Sequence, residues 1–289
     1  MKPFLWRAMP VAFVLIWSTG FVVARFAMPH APPLSFLALR YALSMLVFAV
    51  WLKLSMRVQW PQDRRQWLHL AVVGALMHAM YLGGVWAAVK LGMGAGTVAL
   101  MVGLQPVLTA VWLSATGSQH RVTARQWAGL LLGLLGLCLV LWRKLGMGEL
   151  NALNMSLGLA ALAAITIGTL YQKRFVKPCD PRAAVLIQIG AALVLTLPFA
   201  MLETEAIVWG PELIGALAWS VLMLTLLAGS MFYLMVQRGA ATQVTSLMYL
   251  VPPCAALQAW ALFGESMSAL VWLGMLVTAA GVSLVISKA

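Results

Sequence analysis

Between residues 9 and 286 the chain divides into ten apolar runs, each near the length of a membrane-crossing helix, with almost nothing left between them. The runs fall near 9–27, 34–53, 67–89, 94–114, 124–142, 154–173, 182–202, 212–235, 240–263 and 268–286. A helix needs about 20 predominantly apolar residues to cross the hydrocarbon of a bilayer, where every backbone amide must be satisfied within the segment. Only 9% of the 289 residues are charged, against roughly 25% in soluble domains. The reading is an all-α integral membrane protein of ten transmembrane helices. No soluble domain or long linker fits between the spans, so function must reside inside the bundle.

Lys2 and Arg7 precede the first run as in a signal peptide, but no small-residue cleavage site follows, and the run is read as a retained span. The net charge of +12 invites a nucleic-acid partner, yet topology accounts for it more simply. With the N-terminus in the cytoplasm and sides alternating, fourteen of the nineteen basic residues fall in inside segments. Positive-inside bias therefore predicts a multi-pass protein of the cell membrane with both termini cytoplasmic. Cys138, Cys179 and Cys254 form no disulfide framework and read as small apolar fillers.

The two halves of the chain are similar. A shift of 147 sets residues 99–117 beside 246–264 without a gap and brings Leu100, Met101, Pro106 and Gly117 onto Leu247, Met248, Pro253 and Gly264. A shift of 145 pairs WAGLLLGLLGLCLVL (127–141) with WLGMLVTAAGVSLVI (272–286). Five spans per half is an odd number, so the expectation is two inverted five-helix repeats, 1–146 and 147–289, forming one integrated transport unit. Secondary transporters of this kind bind substrate near the midplane, at helices interrupted in corresponding positions. Pro106 in the fourth span, and Pro252 with Pro253 near the middle of the ninth, are such positions.

The segment IWSTGFVVARFAM (16–28), followed by PPLSFLALRYALSMLV (32–47), resembles the opening of the EamA-type drug/metabolite transporters. The Gly94-x-x-Thr97 run leading to Pro106, the Leu250-x-x-Pro253 run ending at Gly264-Glu265, and the glycine-spaced fifth and tenth spans match that family in order and spacing. The resemblance covers essentially the whole chain. It implies a ten-helix inverted-repeat transporter, usually of the bacterial inner membrane, exporting small metabolites such as amino acids. One departure is Gly117-Ser118, where a second Gly-Glu is expected.

Ionisable groups inside spans are costly and are functional candidates by default. His78 sits mid-span in MHAMYLGG with Tyr81 on the same face, and Gly83 and Gly84 permit close approach of a neighbour or ligand. Trp17 and Gly20 share a face of the first span. Met101 and Gln105, one turn apart beside Pro106, and Tyr249, one turn before Pro253, are expected on the same cavity. Tyr171 and Gln172 are weaker candidates near the membrane interface. Gly20, Pro106, Pro252 and Pro253 are candidate helix breaks or gating points. Arg40 either holds a substrate carboxylate or is structural; by resemblance it implies mainly a tie to the first span. Gly129, Gly133, Gly136, Gly274 and Gly281 read as close helix contacts, scaffold or dimer surface, leaving monomer and homodimer both open.

No Asp or Glu lies mid-span, no phosphate-binding loop occurs, and no acid or His/Cys cluster suggests a metal, cofactor or hydrolytic centre. The reading is a secondary exporter of small metabolites, with neutral aromatic or branched amino acids as the expected substrates, acting as facilitator or exchanger and not as an enzyme. The alternatives are a multidrug cation exporter, which is expected to need an in-membrane carboxylate, and an enzyme acting on lipid-linked substrates, which is expected to cluster acids or histidines at one membrane face. A sensor or assembly partner is expected to carry a longer loop.

Overall fold

A computed structural model describes residues 3–54, 58–116, 122–141, 150–238, 247–263 and 268–286. Gly117, Ser118, Gly239, Gly264 and Glu265 lie outside the described residues. Helices occupy all ten expected places: α1 Pro3–Ala27, α2 Pro33–Leu54, α3 Arg64–Lys90, α4 in two pieces (Ala95–Gly103 and Gln105–Ala115), α5 Ala124–Leu141, α6 Ala152–Phe175, α7 Pro181–Ala200, α8 Pro211–Arg238, α9 Val251–Phe263 and α10 Ala269–Ile286. Seven of them, α1–α4 and α6–α8, are long and apolar enough to cross a membrane among the described residues. The molecule is an all-α, multi-pass helical bundle.

The helix starts follow from local chemistry. Asp63 and Asp180 each accept the amide two residues on, and Asn151 and Asn154 cap α6 reciprocally, satisfying amides that an isolated helix end leaves free. Large apolar side chains point outward, with Val194 71% and Leu276 69% exposed, as a lipid-facing surface requires.

Four irregularities stand out. In α3 the turn Ala75–Met80 is a π-helix, and in α8 the turn Ser220–Ala228 is another, so the shift of 145 carries the start of one onto the start of the other. The helix of α4 breaks at Leu104 and resumes at Gln105, with Pro106 in its first turn. A 3₁₀ turn, Leu247–Leu250, gives way to α9 at Val251. Pro252 and Pro253 therefore stand in the first turn of a helix rather than mid-helix, where a missing amide costs little. The interruption expected at the proline pair thus falls at the Leu250–Val251 junction, directly ahead of Pro252. α1, in contrast, is continuous through Gly20, so Gly20 is no helix break.

Helices distant in sequence interleave: α2 lies against α7, α3 against α6 and α7, α1 against α9, and α5 against α10. The α5–α10 seam has its own small core of Ala110, Leu130, Tyr249, Val282 and Val285. Its glycines are used within the chain: a Cβ at Gly129 would lie 2.6 Å from the Gly281 carbonyl oxygen, and one at Gly136 would lie 2.6 Å from that of Gly274. The glycine stripe is thus scaffold.

Candidate functional site

A partly open cavity of about 50 Å³ lies among α1, α2, α3, α6, α7 and α8. The two π turns border it. A π turn displaces carbonyls from the regular ladder and leaves them free for side chains. The displaced His78 carbonyl accepts a 2.8 Å hydrogen bond from the Tyr41 hydroxyl. In α8, the Thr225 hydroxyl donates to the Ser220 carbonyl at 3.0 Å and accepts from Arg40 Nε at 2.9 Å. Adjacent residues of α2, Arg40 and Tyr41, thereby hold both irregular turns.

Trp17, Gly20, Arg40, His78 and Tyr81 come together on the cavity wall. The Trp17 ring lies parallel to that of Tyr81, centroids 6.5 Å apart, and stacks on Phe232 at 5.5 Å. Phe13 supports Trp17 from behind at 5.1 Å. The result is a flat, fixed aromatic wall. At Gly20 a Cβ would make only ordinary contact with Leu224, at 3.7 Å, so close packing does not require this glycine. Gly84 differs, since a Cβ there would lie 2.8 Å from the Leu157 carbonyl oxygen; it serves the approach of α6 to α3.

Arg40 is 4% exposed, and among the described residues no carboxylate pairs with it. Its hydrogen bond runs to α8, not to the first span as the family resemblance implies. Buried cations without a partner are destabilising by several kcal/mol. Two further buried polar atoms, His78 Nδ1 and Gln172 Nε2, lack a hydrogen-bond partner in the described structure, and both residues line the cavity.

The remaining sequence candidates lie elsewhere. Gln105 is fully buried and donates to Thr169 Oγ1 at 3.0 Å, tying α4 to α6. Met101 packs at Gly158 of the same helix. Tyr249 rests on Gly133, with its hydroxyl donating to the Leu130 carbonyl at 3.1 Å. Tyr171 meets His69 at 2.8 Å, away from the cavity. Pro106, Pro252 and Pro253 do not line the cavity either.

Sequence reasoning missed Phe21, Trp86, Gln188, Phe232 and Tyr233 as wall residues, and undervalued Gln172. Gln188, an amide in the middle of an apolar span, was findable by the rule that polar groups inside the membrane are kept for a reason. Phe232 and Tyr233 carried no signal, because aromatic side chains are common in any apolar helix.

Comparison with known proteins agrees with this architecture. The profile of the EamA-like transporter family matches twice, over residues 6–142 and 153–287. The uncharacterized transporter YvbV of Bacillus subtilis is 24% identical, covering 97% of this chain and 92% of its own length. The uncharacterized inner membrane transporter YedA of Escherichia coli is 26% identical over 91% of this chain and 85% of its own. A probable amino-acid metabolite efflux pump of Salmonella typhimurium is 24% identical over 93% and 90%. One solved crystal structure superposes with a TM-score of 0.75 at 20% identity, covering 98% of both chains, which establishes the likeness of fold. Two family matches spanning nearly the whole chain, on a multi-pass bundle around an internal cavity, identify this protein as a member of the EamA-like transporter family, secondary transporters of small metabolites within the drug/metabolite transporter superfamily.

Proposed function

We propose that the chain exports neutral amino acids with aromatic or branched side chains by alternating access, as a facilitator or exchanger. The observation carrying this reading is the cavity itself, with a stacked wall of Trp17, Tyr81 and Phe232 and a buried, carboxylate-free Arg40 on the same surface. Flat rings suit an apolar side chain. A lone arginine suits one carboxylate and repels a cation, which disfavours the multidrug cation alternative.

The alternating-access part of the reading rests on a two-fold plan of inverted five-helix repeats, 1–146 and 147–289. It is supported by the double family match, by the π turns of α3 and α8, and by the breaks in α4 and before α9, where the shift of 147 carries Pro106 onto Pro253. The contacts Gly129–Gly281 and Gly136–Gly274 fit the same plan, because the 145 shift exchanges the two pairs. Positive-inside bias supports a reading with both termini in the cytoplasm, and the inner-membrane relative supports the bacterial inner membrane as the location. The export direction leans on the Salmonella relative named as an efflux pump.

The test is counterflow in proteoliposomes loaded with one amino acid at a time, following uptake of the labelled compound. Selective exchange of phenylalanine, tryptophan, leucine and isoleucine is expected. Exchange of quaternary ammonium dyes with none of these amino acids would sink the reading.

A further inference from the structure

We propose that the cavity recognises its substrate through the carboxylate alone, so that its ligand class is monocarboxylates with a flat apolar body and the α-amino group is dispensable. The inference rests on the transport reading above for the location of the site, but it concerns which substrate group is read.

The polar groups of the cavity share one character. Arg40 is an obligate donor whose recorded partner is the Thr225 hydroxyl, and no acid neutralises it among the described residues. Gln172 Nε2 is a buried donor without a partner, while its Oε1 faces Gln188 Nε2 at 3.5 Å, the outer limit of a hydrogen bond. His78 Nδ1 is buried and unpartnered, and an imidazole nitrogen donates in one of its two neutral tautomers. Guanidinium and amide thus wall one cavity with unmet donor capacity, and the imidazole, which also bonds the Gln188 side chain, adds to it in its Nδ1–H tautomer. A carboxylate answers that set, with two oxygens and one negative charge against one fixed cation. Phosphate dianions or dicarboxylates bring more charge than a single arginine offsets.

An ammonium group finds no such counterpart. The described acids all stand at helix ends or in connections: Asp63, Asp180, Glu203, Glu205 and Glu212. None lines the cavity. The body of the ligand then rests against the aromatic side chains of Trp17, Tyr81 and Phe232, which line the cavity.

The test is ligand-induced stabilisation of the purified, detergent-solubilised protein, read as the thermal unfolding midpoint. Four probes at equal millimolar concentration separate the groups: L-phenylalanine, 3-phenylpropanoate, L-phenylalaninamide and 2-phenylethylamine. The two carboxylates are expected to raise the midpoint by about 2 °C or more, and the amide and amine not to. Arg40→Gln is expected to abolish the carboxylate response and Arg40→Lys to retain part of it. Should Arg40→Gln fail to fold, the four-probe comparison on the wild-type protein decides alone. The inference is overturned if the amide or amine stabilises as well as the acids, if none of the four does, or if folded Arg40→Gln still responds. Its failure is separable from that of the transport reading. Stabilisation by 3-phenylpropanoate without counterflow of any amino acid sinks the export reading only; counterflow of phenylalanine inhibited equally by its amide sinks this inference only.

Discussion

A methyl group placed on Gly136 would lie 2.6 Å from the carbonyl oxygen of Gly274, inside van der Waals contact with backbone that belongs to the facing helix. Neither α5 nor α10 can yield at that point without opening the seam along which Gly129 and Gly281 also meet. Gly136→Ala is therefore expected to cost about 1–3 kcal/mol, the usual range for overpacking, seen as a lower unfolding midpoint in detergent. Gly20→Ala is the contrasting case. Its new methyl group meets only the Leu224 side chain at an ordinary 3.7 Å, so the midpoint is expected to stay within about 0.5 kcal/mol of wild type. Because Gly20 lines the cavity, the same substitution narrows the site, and the expected change is in the KM of counterflow. A fall in midpoint for Gly20→Ala as large as that for Gly136→Ala would remove the distinction between seam and cavity glycines.

Proline and charge act on whole helices here. Pro106 stands in the first turn after the α4 break, so Pro106→Ala removes no hydrogen bond, yet it restores an amide that makes a continuous helix available. At the start of α9 Pro253→Ala restores one amide while Pro252 still interrupts the helix, so there the substitution loosens the break without removing it. Both variants are expected to express and fold, with counterflow reduced by about tenfold or more if the breaks are the flexing points of transport; full activity in both would remove that role. At α2 the relevant group comes from far along the chain. Glu203 accepts the Leu34 and Ser35 amides at 3.0 and 2.7 Å and the Ser35 hydroxyl at 2.8 Å, placing a carboxylate on the positive end of the helix. Glu203→Ala is expected to cost about 1–2 kcal/mol of stability, measured as a midpoint shift. These cases also mark what is legible in the sequence. Ten helices were readable because crossing a membrane asks only for length and apolarity, and the prolines announced the two breaks. The π turns were not, since ALMHAM and SVLMLTLLA contain no proline or glycine and read as ordinary helix. At the site, Trp17, Arg40, His78 and Tyr81 betrayed themselves as aromatic or ionisable groups at mid-span. Met101, Gln105 and Tyr249 were assigned by their nearness to prolines, but a helix face meets whatever neighbour the packing supplies, and here that is α6 or α5.

At the scale of the molecule, ties hold the bundle at both ends of the cavity. At one end Lys90 pairs with Glu205 at 2.6 Å and the Val208 amide donates to the His30 carbonyl at 2.8 Å, lashing the α7–α8 connection to the end of α3 and to the turn between α1 and α2. At the other, the Gln66 amide bonds the Lys177 backbone in both directions, at 2.8 and 3.2 Å, and the Tyr233 hydroxyl accepts the Cys179 amide at 3.2 Å. Alternating access requires each set to release while the other holds. Nothing in either set places a carboxylate on the cavity wall, and every described acid belongs to an end or a connection. A proton-driven cycle would need a mid-membrane carrier, for which His78 is the one imidazole on the cavity among the described residues. The expected result is counterflow of a neutral amino acid at the same rate with and without an imposed pH gradient, in wild type and in His78→Gln alike once the loss of binding is corrected for through KM. Acceleration by the gradient in wild type that vanishes in His78→Gln would instead make His78 the carrier and the protein a proton-coupled exporter. Acceleration that survives the substitution would require a titrating group outside the cavity walls, and Glu203 and Glu205, which tie the α7–α8 connection to α2 and α3, would then be the groups to replace.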